Sequence, residues 1–269
     1  VLGSLARVQR VYRRYHAAYT NTILYTHGAV CTLAIYVRQF ADVPIVVAAN
    51  RDEFFERPAS APLVLRERPR IVGGRDLQAG GTWLGISEHG VVAGLLNRRI
   101  AEPPVPSRCS RGLLLMEVLA SESAVAAEQA LAAVDPEAYN AFNLLVADRT
   151  RAVVAQNQAG TMRLTTLDAG VHVLSNVDVN DPTYPKIARS HGLFAVAGDD
   201  FRTHGDRARL RGALRRILAD HTTALDPRQP DALGALCVHA GGFGTRCSSL
   251  LFLEASGRNL TPDKPRAAE

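Results

Sequence analysis

The chain has 269 residues, 47% of them hydrophobic and 6% aromatic, which suits one domain with a sizeable core. Its formal charge is +5, but Arg7, Arg10, Arg13 and Arg14 stand among residues 1–30 with no acid, so the remainder carries +1. A nearly neutral body speaks against a nucleic-acid binder, and four cysteines without a C-x-x-C pair speak against disulfide staples or a structural zinc, leaving a reduced, cytoplasmic protein as the simplest reading.

Residues 15–37 carry no charged side chain but are dotted with Thr, Asn, His and Tyr, a poor membrane span, so no stable membrane insertion is expected. Three readings of residues 1–30 stay open. They are a start placed too far upstream, with the true start at Val30; a leader or propeptide that is removed; or a retained extension. The first two leave Cys31 at the chain start.

Cys31 to Val37 and Val43 to Ala49 are apolar strands joined around Ala41-Asp42, a hairpin that returns Asp52 beside Cys31. Residues 54–70, rich in Pro, Arg and Glu, read as a surface loop, followed by glycine turns at Gly73-Gly74 and Gly80-Gly81. Thr82 to Ser87 and Val91 to Leu96 are strands, the second ending in Asn97. Leu113 to Leu119 and Ala124 to Val134 have helical spacing. Phe142 to Ala147, Ala152 to Gln156, Met162 to Thr166 and Val171 to Leu174 are strands, the last leading to Ser175-Asn176. Tyr184 to Val196 and Ala208 to Ala219 are helices, and Thr245 to Glu254 is the final strand. Short turns between strands, with helices grouped apart, predict an α+β fold of antiparallel sheets. The expected domain spans residues 31–255, with a loose tail at 256–269.

A cysteine at a chain start joins a thiol to an α-amine whose pKa, about 7.7–8, lets it accept the thiol proton near neutrality. Asp52 is placed to orient that amine. Asn97 and Asn176, each closing an apolar strand, are candidate oxyanion donors. Arg246, opening the last strand, is a candidate cation for the thiol. Cys237, His239 and Cys247 match no standard metal spacing, and core packing is expected of these thiols.

Several motifs sharpen this reading: Cys31-Thr32-Leu33, Ala49-Asn50-Arg51-Asp52-Glu53, Gly73-Gly74-Arg75-Asp76, Gly80-Gly81-Thr82-Trp83-Leu84-Gly85, Leu174-Ser175-Asn176 and Tyr184-Pro185-Lys186. Together they resemble the NRDE family, that of the transport and Golgi organisation protein 2. More distantly the pattern is similar to the N-terminal-nucleophile cysteine hydrolases of the bile salt hydrolase and penicillin V acylase group. That resemblance implies a four-layer αββα sandwich and carries over Cys31 as nucleophile, Asp52, Asn97 and Asn176 in the roles above, and Arg246. The group's arginine before the aspartate falls on Ala49 and is absent, so bile salts and penicillins are not implied as substrates. The function expected is cleavage of a small non-peptide amide or acyl compound without metal or cofactor. The alternative is a non-catalytic lipid or haem binding and trafficking protein, in which the thiol and amine of Cys31 could ligate haem iron. Oligomeric state is not legible.

Overall fold

The computed structural model describes residues 31–158, 160–225 and 231–256. The leader and most of the tail expected from the sequence lie outside them.

The first sheet contains β1 (Thr32–Val37), β2 (Ile45–Phe54), β10 (Gly170–Leu174), β11 (His239–Ala240) and β12 (Phe243–Leu253), in the order β10-β1-β2-β12-β11. The second runs β3 (Leu63–Glu67), β4 (Arg70–Gly73), β5 (Leu84–Ser87), β6 (Val92–Asn97), β7 (Phe142–Ala147), β8 (Ala152–Gln158) and β9 (Thr161–Thr166), in chain order. Every pairing is antiparallel. Four α-helices are found among the described residues: α1 (Arg111–Leu119), α2 (Ala124–Ala132), α3 (Pro185–His204) and α4 (Arg207–Leu218).

The alternation of side chains along β1 and β2 sorts the core into layers. Leu33, Ile35 and Val37 face Val92, Leu145 and Val154 between the sheets. Ala34, Tyr36 and Val46 turn the other way, onto Phe194 of α3 and Leu210 and Leu214 of α4. The outer face of the second sheet buries Phe142, Leu144 and Val153 against Leu115, Leu119, Ala127 and Leu131 of α1 and α2. The result is the expected four-layer αββα sandwich.

Helix ends follow local chemistry. Ser110 and Ser123 cap α1 and α2, and Asp206 caps α4 through the amides of Ala208 and Arg209. Helix α3 begins with Pro185 and ends at Gly205, whose φ of 65° is the left-handed C-cap. It runs eight residues beyond the Val196 end expected from apolar spacing. Gly198 is not a terminator there: a Cβ on it would lie 2.8 Å from Cε1 of Tyr36, so the glycine lets the helix sit on that ring.

Residues 54–70 depart further from expectation. They hold β3, the outermost strand of the second sheet, and its pairing with β4. Leu63 and Val64 are exposed, and Pro62, Arg66 and Glu67 supply the proline and charge that protect a sheet edge from further pairing. No helix among the described residues is long and apolar enough to cross a membrane.

Candidate active site

Cys31 immediately precedes β1, and register carries it to Asp52. Thr32 pairs with Asn50, so the end of β2 overhangs the start of β1. The amide of Asp52 donates to Cys31 Sγ at 3.2 Å, and the thiol lies 3.4 Å from the carbonyl of Asp52. On the other side of β2, Asp52 pairs with Thr245 of β12. The Thr245 hydroxyl donates to Asp52 Oδ1 at 2.5 Å. Asp52 Oδ2 accepts no hydrogen bond among the described residues, although it is buried.

A cation faces that oxygen. Lys186, in the first turn of α3, places Nζ 3.9 Å from Asp52 Oδ2, with side-chain exposures of 1% and 0%. Its ammonium also lies 3.5 Å from the carbonyl of Leu233. Burial, opposed by Lys186 and the Thr245 hydroxyl, holds the Asp52 carboxyl up at about 6. Burial and then the negative charge of Asp52 push the Cys31 thiol up to about 12. Burial lowers Lys186.

Asn176 is also brought in. The hydroxyl of Ser175 donates to the carbonyl of Cys31 at 3.0 Å, which fixes the chain beyond β10 against the cysteine. Asn176 is buried. Oriented so that both amide ends are satisfied, its oxygen accepts from Arg99 Nε and Nη2 at 3.3 Å each. That orientation turns its NH2 group towards Ser175. Asn97 ends β6 opposite Phe142, whose side chain packs on the helix-facing side of the second sheet, so strand alternation turns Asn97 away from Cys31 and the oxyanion role expected of it is not met by this geometry.

Arg246 is placed elsewhere. It occupies a bulge in β12 between Thr245 and Cys247, and its Nη1 binds the carbonyls of Phe54, Phe55 and Arg57 at 2.9, 2.7 and 3.0 Å. The expected cation for the thiol is therefore corrected: Lys186 acts on both Cys31 and Asp52, while Arg246 clamps the turn after β2. The signal for Lys186 was present, since only it and Lys264 are lysines among 31 basic residues. A compact ammonium fits a buried point contact that a guanidinium fork does not.

The Asn50-Arg51-Asp52-Glu53 run divides by strand alternation. Asn50 donates to the carbonyls of Leu218 and Leu236 at 2.8 and 2.9 Å and accepts from Ser248 at 2.6 Å, tying β2 to α4 and β12. Arg51 faces between the sheets, stacked 4.2 Å over Trp83 and 3.5 Å from Asp76 Oδ2. Asp76 in turn receives Arg57 Nε at 2.9 Å and caps the amides of Gln78 and Ala79. A Cβ on Gly74 would fall 2.2 Å from the Trp83 ring, so that glycine makes room for the indole. Trp83, Arg51, Leu33, Leu84, Leu95 and Leu96 line a narrow, mostly apolar cleft of about 20 Å³, with Cys31 in its wall.

Two antiparallel sheets between helix layers, with a cysteine leading the first central strand, define the N-terminal-nucleophile hydrolase-like class of fold. Penicillin V acylase from Agrobacterium tumefaciens is similar in structure over 83% of this chain and 80% of its own, with a TM-score of 0.53 at 11% identity, a likeness of fold. Sequence comparison is more specific. The Transport and Golgi organisation 2 family profile matches residues 30–262, and the chain belongs to that family. The Transport and Golgi organization protein 2 homologs of Bos taurus and Homo sapiens are 28% identical over 233 residues and 27% over 231, each alignment covering 79% of this chain and 83% of the relative.

Proposed function

We propose that the chain, once it begins at Cys31, is an N-terminal-cysteine amidohydrolase or acylase acting on a small non-peptide amide or related acyl compound. The observation that carries this reading is Asp52. Its backbone brackets the Cys31 sulfur, while its buried Oδ2 accepts no hydrogen bond among the described residues. An α-ammonium on Cys31 would supply the donor.

A thiol held near 12 is a poor nucleophile unless a base takes its proton. The free amine does so, the thiolate attacks the acyl carbon, and the NH2 group of Asn176 is the side-chain donor offered to the oxyanion. The resulting ammonium protonates the departing amine. Water, deprotonated by the same amine, then cleaves the thioester and releases the acid. The leucines beside Cys31 match an apolar acyl group in polarity, and the narrow cleft would have to widen to admit it.

A second reading, a lipid- or haem-binding protein without turnover, is favoured by the protonated, weakly nucleophilic thiol that an amide-bonded Cys31 would keep. The two part on one experiment. The intact mass of native protein should match a chain starting at Cys31, and an acyl-type electrophile should add once, at Cys31, with Cys31→Ala abolishing the adduct and Asn176→Ala slowing it. Retention of residues 1–30 in the native protein, or ligand binding without any adduct, would sink the enzyme.

A further inference from the structure

A second cluster lies outside the Cys31 pocket. His221, Cys237 and His239 each offer one ligand atom, and these atoms lie within 4.8 Å of one another. The core packing expected of Cys237 is not what the structure holds: the residue is half-buried, and Cys247, the third member of the set considered from sequence, gives way to His221.

Local structure explains the convergence. Val238 is buried, so Cys237 and His239 on either side of it turn to the opposite face. Val238 is fixed to Thr245 at both its amide, 2.9 Å from the hydroxyl, and its carbonyl, 2.9 Å from the Thr245 amide. The amide of Cys237 donates to the carbonyl of Asp220 at 2.9 Å, which brings the residue after it, His221, alongside. Arg189 holds the Asp220 carboxylate at 2.5 Å. The three donors thus sit on backbone pinned to β12 on one side and to the end of α4 on the other.

We infer that His221, Cys237 and His239 form a binding site for a thiophilic divalent cation of the zinc class. With metal–nitrogen and metal–sulfur bonds of about 2.05 and 2.3 Å, tetrahedral coordination needs S···N edges of about 3.6 Å and N···N edges of about 3.4 Å. The Cys237 Sγ to His239 Nε2 distance is 3.7 Å. The rings of His221 and His239 have centroids 5.0 Å apart at 45°, and both side chains are exposed, so a small rotation of His221 completes the set. One thiolate with two imidazoles suits Zn²⁺ over Mg²⁺ or Ca²⁺, and three protein ligands leave a fourth position for water. A bound ion would clip the chain after α4 to the β11–β12 hairpin.

The test is cobalt titration of untagged, chelator-treated full chain. Co²⁺ should bind at one equivalent with a thiolate-to-metal absorption band in the near ultraviolet, and Zn²⁺ should displace it. Cys237→Ser should abolish the band, Cys31→Ser should leave it, and His221→Gln and His239→Gln should each weaken binding roughly ten-fold or more. Absence of the band, or a band that survives Cys237→Ser, overturns the site. Should Cys237→Ser fail to fold, the exposed His221→Gln decides: unchanged cobalt affinity overturns the site equally.

Discussion

Lys186 Nζ and Asp52 Oδ2 meet at 3.9 Å with both side chains out of water, a distance that gives Coulomb attraction without a hydrogen bond. Removing one member of such a buried pair strands the other's charge, at a typical cost of about 3–5 kcal/mol, whereas removing both costs far less. Lys186→Met should therefore lower the urea-unfolding free energy at neutral pH by several kcal/mol, and Lys186→Met with Asp52→Asn should recover most of it. Equal losses in the single and double variants would show that the pair is not coupled.

The pH dependence of stability follows from the same carboxylate. Asp52 is raised from 3.8 to about 6, so the folded chain holds this proton more tightly than the unfolded chain. Its contribution to stability is fully present below about 3.8 and is lost as pH rises through 6, a change of about 3 kcal/mol for a shift of this size. Asp52→Asn does not titrate. Measured by urea unfolding between pH 4 and pH 7.5, the variant should gain stability relative to the parent chain as pH rises. A difference that stays flat, or runs the other way, contradicts a raised carboxyl.

Arg246 offers a way to separate scaffold from chemistry. Its guanidinium serves three carbonyls of the turn after β2, and hydrogen bonds to charged groups contribute about 1.5–3 kcal/mol net of exchange with water. Arg246→Gln should lower stability in that range while the pH midpoint of Cys31 labelling stays where it is. A shifted midpoint with stability unchanged would restore the role expected from sequence.

What the sequence made legible was local. Alternating apolar runs mark most strands, and the hairpin of β1 and β2 alone sets Asp52 against Cys31. The missed edge strand β3 has the composition of a loop, because a strand with one side in solvent is protected by the residues that make loops. Lys186 and Thr245 were not placed because nothing local encodes them: α3 and β12 reach Asp52 from more than a hundred residues away, and only the packed sheet and helix layers bring them together. Arg246 and Asp52 are near neighbours across β12 and β2, but the bulge between Thr245 and Cys247 turns the arginine to the turn instead. A one-residue shift of that kind cannot be read from spacing.

The stack of Arg51 on Trp83 joins two motifs that lie far apart in sequence, and it shapes the mouth of the pocket at Cys31. Arg51 is 7% exposed, so its attraction to the ring is little screened, and such desolvated contacts reach about 2 kcal/mol. Lysine at this position keeps the charge but loses the flat face that lies on the indole and the reach to Asp76. A double-mutant cycle of Arg51→Lys and Trp83→Leu, followed by urea unfolding, should give a coupling energy of about 1–2 kcal/mol. Gly74→Ala attacks the same stack without touching either partner, since its new methyl meets the indole at 2.2 Å, and should cost about 1–3 kcal/mol while slowing Cys31 labelling. If Arg51 and Trp83 prove additive, and Gly74→Ala leaves labelling alone, the pocket mouth does not depend on this contact, and the pairing of the two motifs must be sought in Arg51 and Asp76 alone.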